Sequence, residues 1–146
     1  MNLETLVKLE IYRTTADTGQ VPKLASVARA LELSRAEVDA ACDSLQNKRL
    51  LVLDRSTGEI RMAPPFSAIP TPHEVTVGDK RYYANCIWDA FGVAAALASD
   101  ANIATVCADC GETLLFQVRD GKPVPQACVI HYAVPAAHWW DDIVYT

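Results

Sequence analysis

No run of eighteen apolar residues occurs in the chain, so the sequence offers no membrane-spanning helix. The opening residues, Met1-Asn2-Leu3-Glu4-Thr5, lack the basic-then-apolar character of a secretory signal. Positive charge is also scarce: 13 Lys and Arg stand against 18 Asp and Glu, for a net charge of −5. That balance excludes the basic footprint on which nucleic-acid binding depends. The deficit is uneven. Up to Pro65 acids and bases balance, whereas from Phe66 onward only Lys80, Arg81, Arg119 and Lys122 oppose the acids. Lacking both a span and a signal, the chain is expected to be cytoplasmic, with its five cysteines reduced. An odd count further excludes a complete disulfide framework, which leaves metal binding or catalysis as uses for the thiols.

What is present is enough apolar sequence for one modest domain or two small ones. Leu3, Leu6, Val7 and Ile11 recur at helical spacing and predict a first amphipathic helix, broken at Thr18-Gly19-Gln20. Pro22 suits the first turn of a second helix with Leu24, Val27, Ala28 and Leu31 inward. Ser34-Arg35-Ala36-Glu37 is a capping box that starts a third, with Val38, Ala41, Cys42 and Leu45 on its apolar face. Strands follow at Leu50–Leu53 and Glu59–Met62, around a turn at Arg55–Gly58. Three helices and a hairpin give a winged-helix-like N-terminal part over residues 1–63. Its third helix carries Arg35, Glu37, Asp39, Asp43, Gln46 and Lys48, a mixed rather than basic surface that would be a poor DNA reader.

Residues 64–73 are Pro-rich and predict a semi-rigid linker. From there to residue 146 the pattern predicts a small antiparallel sheet with one packed helix, so the fold class is α+β. Glu74–Val77 and Lys80–Tyr83 are strands about Gly78-Asp79. Ile103–Val106, Leu114–Val118 and Cys128–Val134 are further strands. Pro135 opens a short helix over Ala136–Asp142, and Asp142–Thr146 starts another strand.

The stretch Asn85–Leu97 concentrates the chemistry. It reads as a helix with Asn85 as N-cap, which puts Cys86 and Asp89 on one face of the first turn. Free backbone N–H groups there favour a thiolate, while the neighbouring carboxylate opposes it. Two readings fit: a thiol–acid pair that passes one proton between its members, or a buried Cys beside a surface Asp. Cys107-Ala108-Asp109-Cys110-Gly111 is half of a zinc-ribbon pattern. His131, His138 or Cys128 would have to complete a four-ligand zinc site, and the spacing does not require it. The alternatives at this turn are a redox pair, or thiols that pack and support the site.

Arg81-Tyr82-Tyr83-Ala84-Asn85-Cys86-Ile87-Trp88-Asp89-Ala90 resembles the segment of organomercurial (alkylmercury) lyases that carries their first catalytic cysteine and, three residues on, their catalytic aspartate. The resemblance continues through Val106–Thr113 and, more loosely, from Val134-Pro135 to Thr146. It implies that Cys86 takes the mercury of an organomercurial or of Hg(II), that Asp89 carries the proton, and that no cofactor is needed. Trp88 and Phe91 are expected to exclude water around the pair. In these lyases a cysteine at the Cys107 turn is structural, and Cys110 is a departure from their pattern. Their second catalytic cysteine would fall immediately after Thr146, where the sequence given stops. The chain therefore reads as a shortened form or an early-terminated frame, such as a stop codon recoded as selenocysteine would give. The competing reading from another class is a thiol-based, metal-sensing winged-helix regulator.

Overall fold

The computed structural model describes residues 2–145. Thr146, the last residue of the strand expected to start at Asp142, lies outside the described residues. Three helices come first: α1 (Leu3–Thr18), α2 (Leu24–Ala30) and α3 (Arg35–Asn47). Asn2 caps α1 through its side chain, and the Ser34–Glu37 capping box forms with both of its reciprocal bonds. Val38, Ala41, Cys42 and Leu45 of α3 are buried as their spacing requires. On α1 the buried stripe is Val7, Ile11 and Thr15, while Leu6 is 36% exposed, because α2 and α3 cover a narrower face than the apolar pattern offers. Pro22 precedes α2 rather than entering it. Lys23 is the N-cap, and the carboxylate of Glu59 accepts from the Leu24 N–H at 2.9 Å in place of a local cap.

A three-stranded sheet follows, in the order β1 (Val52–Leu53), β2 (Ile60–Ala63), β3 (Phe66–Ser67). The third strand arises inside the stretch expected to be linker. Phe66 is 2% exposed and pairs with Ala63, so an aromatic side chain bringing about 2–3 kcal/mol of burial outweighs the extended preference of the prolines. The helices and this sheet enclose one core, in which Val7, Ile11, Leu24, Val38 and Leu51 are fully buried.

The second sheet has five strands in the order β5-β4-β6-β7-β8, all antiparallel: β4 (Glu74–Val77), β5 (Lys80–Tyr83), β6 (Ala101–Val106), β7 (Thr113–Arg119) and β8 (Lys122–Pro123). Helix α4 (Ile87–Ala96) packs on β4 and β6. The alternation of β6 turns Ala101, Ile103 and Thr105 inward, into a core with Val75, Tyr82, Ala90 and Val93. Contacts join this core to the helices and the first sheet. The Tyr82 hydroxyl donates to the Ala16 carbonyl of α1 at 2.7 Å, and Phe66 forms an isolated bridge to Ala84.

Two expected strands are absent. Residues 128–134 form irregular, exposed chain, with Val129 92% exposed, and residues 142–145 form a turn. The apolar spacing of 128–134 suits a strand, but the edge of β7 is already taken by β8, and Pro123 in β8 has no N–H to offer a further strand. The short helix beyond Pro135 does form, as a 3₁₀ helix over Ala136–Asp141.

Candidate active site

Strand β5 runs into Ala84 and Asn85, and the chain turns at once into α4. The N-cap of α4 is Cys86, in extended backbone, rather than Asn85. The Cys86 sulfur accepts the Asp89 N–H at 3.5 Å, the bond an oxygen cap would make. Asn85 is diverted because the Phe66–Ala84 bridge sets two carbonyls beside it. Its Nδ2 faces the Pro65 and Phe66 carbonyl oxygens at 3.3 Å each and donates to Asp89 Oδ2 at 2.9 Å. Reversing the amide would press Oδ1 against two carbonyl oxygens, so Asn85 is held as a donor to Asp89. The cost is that Oδ1 is buried without a hydrogen-bond partner. Gly92, one turn on, permits this approach, since a Cβ there would meet Pro65 Cβ at 3.1 Å.

Cys86 and Asp89 are both half-buried, and burial pushes both up from their ordinary values. For Cys86 the Asp89 N–H pulls the other way, the Asp89 carboxylate adds to the rise, and the Trp88 N–H again lowers it. For Asp89 the hydrogen bond from Asn85 opposes burial. Two adjacent negative charges are therefore disfavoured, and the pair is suited to sharing one proton.

Two tyrosines that the sequence did not single out lie within electrostatic reach. Tyr12 of α1 is pushed up to about 12, first by burial and then by the Asp89 charge, and its hydroxyl donates to the Pro64 carbonyl at 2.8 Å. Tyr132 is raised by burial and then by the charges of Cys86 and Asp89. It packs on Trp139 with ring centroids 5.1 Å apart, and Trp139 Nε1 donates to the Val134 carbonyl. The enclosure expected of Trp88 is not formed: this side chain is 59% exposed. Phe91 packs edge-on to Phe116 of β7 at 5.8 Å.

Cys107 and Cys110 come together in the β6–β7 turn. Among the described residues they make no hydrogen bond to Cys86 or Asp89, and no group of three or more His, Cys, Asp or Glu side chains converges on a metal site, so His131, His138 and Cys128 do not complete a zinc set. Cys42 is fully buried in the helical core, and burial pushes its thiol up to about 11. A cleft of about 920 Å³ lies between α3, the β1–β2 hairpin and residues 140–144. No thiol lines it, so the chemistry is assigned to the Cys86–Asp89 pair instead.

A family model described as alkylmercury lyase matches residues 66–146, more than half of the chain. Among solved structures the chain is similar to the mercury-bound form of MerB2, with 23% identity and a TM-score of 0.61 over 86% of this chain. That likeness is one of fold, and it spans 66% of the other chain, just under two thirds. No curated protein sequence matches. Among the described residues no helix is long and apolar enough to cross a membrane.

Proposed function

The chain belongs to the alkylmercury lyase family, and on that premise we propose that it binds an organomercurial through Cys86 and releases the hydrocarbon by protonolysis, with Asp89 as proton carrier. The observation that carries this reading is the half-buried Cys86–Asp89 pair on the first turn of α4, with both groups shifted toward their protonated forms. Mercury is very soft, so a thiolate is its natural ligand. As the Cys86 sulfur bonds to mercury, its proton passes to the Asp89 carboxylate, and the ligand previously on mercury leaves with its electron pair. Sulfur then raises electron density on the carbon. Asp89, now a carboxylic acid, gives its proton to that carbon; the carbon–mercury electron pair becomes the carbon–hydrogen bond, and Hg(II) stays on sulfur. A second thiolate on mercury lowers the barrier further. A solution thiol would supply it.

Asn85 supports the first half of this cycle by stabilising the carboxylate that must accept the proton. Tyr132 lies within electrostatic reach of both groups. We place the reaction in the cytoplasm, where five free thiols stay reduced. Nucleic acid is left out of the partners because the leading cations of α3 are already committed: Arg35 to Asp39 at 2.7 Å and Glu59 at 3.2 Å, and Lys48 to Glu4. A sequence-selective footprint at physiological salt would reverse that part.

The test is equilibrium binding of a phenylmercury compound together with benzene release in excess monothiol. Cys86→Ser should abolish tight binding, and Asp89→Asn should retain binding while losing release. Unchanged affinity in Cys86→Ser removes the assignment of that thiol, and undiminished release in Asp89→Asn removes the proton carrier.

A further inference from the structure

We propose that Cys107 and Cys110 form a second, surface site for Hg(II), a two-sulfur clamp separate from the Cys86–Asp89 pair. The site stands on a closed turn. The Cys107 N–H donates to the Glu112 carbonyl at 2.8 Å, and the Gly111 N–H donates to the Cys107 carbonyl at 2.9 Å, so the loop between β6 and β7 is fixed at both ends by its own backbone. Both thiols are free; Cys107 is half-buried and Cys110 exposed. The N–H groups of Cys110 and Asp109 and the Cys110 thiol face the Cys107 sulfur. The two sulfurs thus stand side by side in one closed turn.

The donor set selects the ligand. Two sulfurs alone are too few for zinc, which takes four ligands in structural sites, and no third donor cluster exists among the described residues. Hg(II) is satisfied by two thiolates. Starting from mercury carried by two solution thiols, the exchange balances without any oxidant. The Cys107 and Cys110 sulfurs each form a bond to mercury, the two original sulfur–mercury bonds break, and the protons of the protein thiols leave on the two departing thiols. The choice of Hg(II) rests on the reading of the chain as an organomercurial lyase, in which Hg(II) is the product. The clamp would then hold that product at an exposed position from which acceptor thiols can remove it.

The experiment uses the full chain carrying Cys86→Ser and Cys128→Ser, so that the active-site thiol and the other exposed thiol are both absent. HgCl₂ is titrated in the presence of glutathione, and bound metal is followed by the sulfur-to-mercury charge-transfer absorbance. The expected result is one Hg(II) per chain, with both remaining accessible thiols protected from alkylation. Adding Cys110→Ser, an exposed position at which serine disturbs no packing, should reduce the glutathione needed to strip the metal by roughly 100-fold, because the second sulfur no longer acts at high effective concentration. Equal stripping with and without Cys110, or protection of only one thiol, overturns the clamp. Because Cys86 is absent from every arm, a failure of organomercurial cleavage and a failure of this site are read separately.

Discussion

Replacing Asn85 by alanine tests the electrostatic design of the site most directly. The amide supplies one 2.9 Å hydrogen bond to Asp89 Oδ2, and it is the influence that holds the Asp89 carboxyl down while burial pushes it up. A hydrogen bond to a charged group contributes about 1.5–3 kcal/mol net, and about 1.4 kcal/mol is a tenfold change in an ionisation constant. Asn85→Ala should therefore weaken Asp89 as an acid by roughly ten- to a hundredfold. The titratable groups that interact with Asp89 are otherwise unchanged: Cys86 on the same turn, Tyr12 from α1 and Tyr132 from the C-terminal segment. Asp89 then stays protonated to higher pH, and the pH above which it can accept the Cys86 proton rises with it. The assay is ¹³C carboxyl titration of Asp89 by NMR, alongside the pH dependence of phenylmercury capture. Both midpoints should move upward together. A midpoint that stays in place or moves downward in a folded variant would refute the assignment of Asn85 as the group that sustains the carboxylate.

Asp89→Asn should raise the melting temperature at neutral pH. The carboxyl is raised in the folded state, so its contribution to stability is fully present only at low pH and is lost as pH rises through the folded value; above that, the ionised group opposes folding. A lower melting temperature at pH 7 to 8 would contradict this. Gly19→Ala should destabilise by at least about 1–2 kcal/mol in chemical denaturation, the cost of a left-handed backbone at a non-glycine residue. Gly19 has φ +80°, and its added Cβ would stand 2.5 Å from the Arg81 carbonyl oxygen, so a loss near zero would mean that α1 and β5 do not pack as described. In native thiol titration Cys42 should remain unreacted until the protein is unfolded, whereas Cys110 and Cys128 react at once; fast reaction of Cys42 would contradict its burial.

The local signals in the sequence mapped closely onto structure where short-range chemistry decides. The Ser34–Glu37 box, the inward face of α3, the Gly78-Asp79 turn and the pairing of β4 with β5 all depend on residues within a few positions of one another. So does the placement of Cys86 and Asp89 on one turn, which follows from helical pitch alone. Where the expectations missed, the competing influence came from elsewhere in the chain. Leu6 has the right spacing but no facing surface. The stretch 128–134 has the apolar content of a strand but no sheet edge to join. The expected linker contains Phe66, whose burial in the second core outweighs the prolines.

By itself the sequence determined that a thiol and an acid share the start of a helix, because residue spacing and the 3.6-residue period are properties of the chain alone. Only the tertiary structure decided how that pair is tuned. The Phe66–Ala84 bridge brings two carbonyls to Asn85, which takes the amide away from the cap position, leaves the cap to the Cys86 sulfur and points a fixed donor at Asp89. Tyr12 reaches Asp89 from the first helix, and Tyr132 reaches it from an irregular segment near the end. Burial and hydrogen bonding depend on which groups meet in space, and these groups are separated by most of the chain, so no pattern local to Cys86 could have announced them.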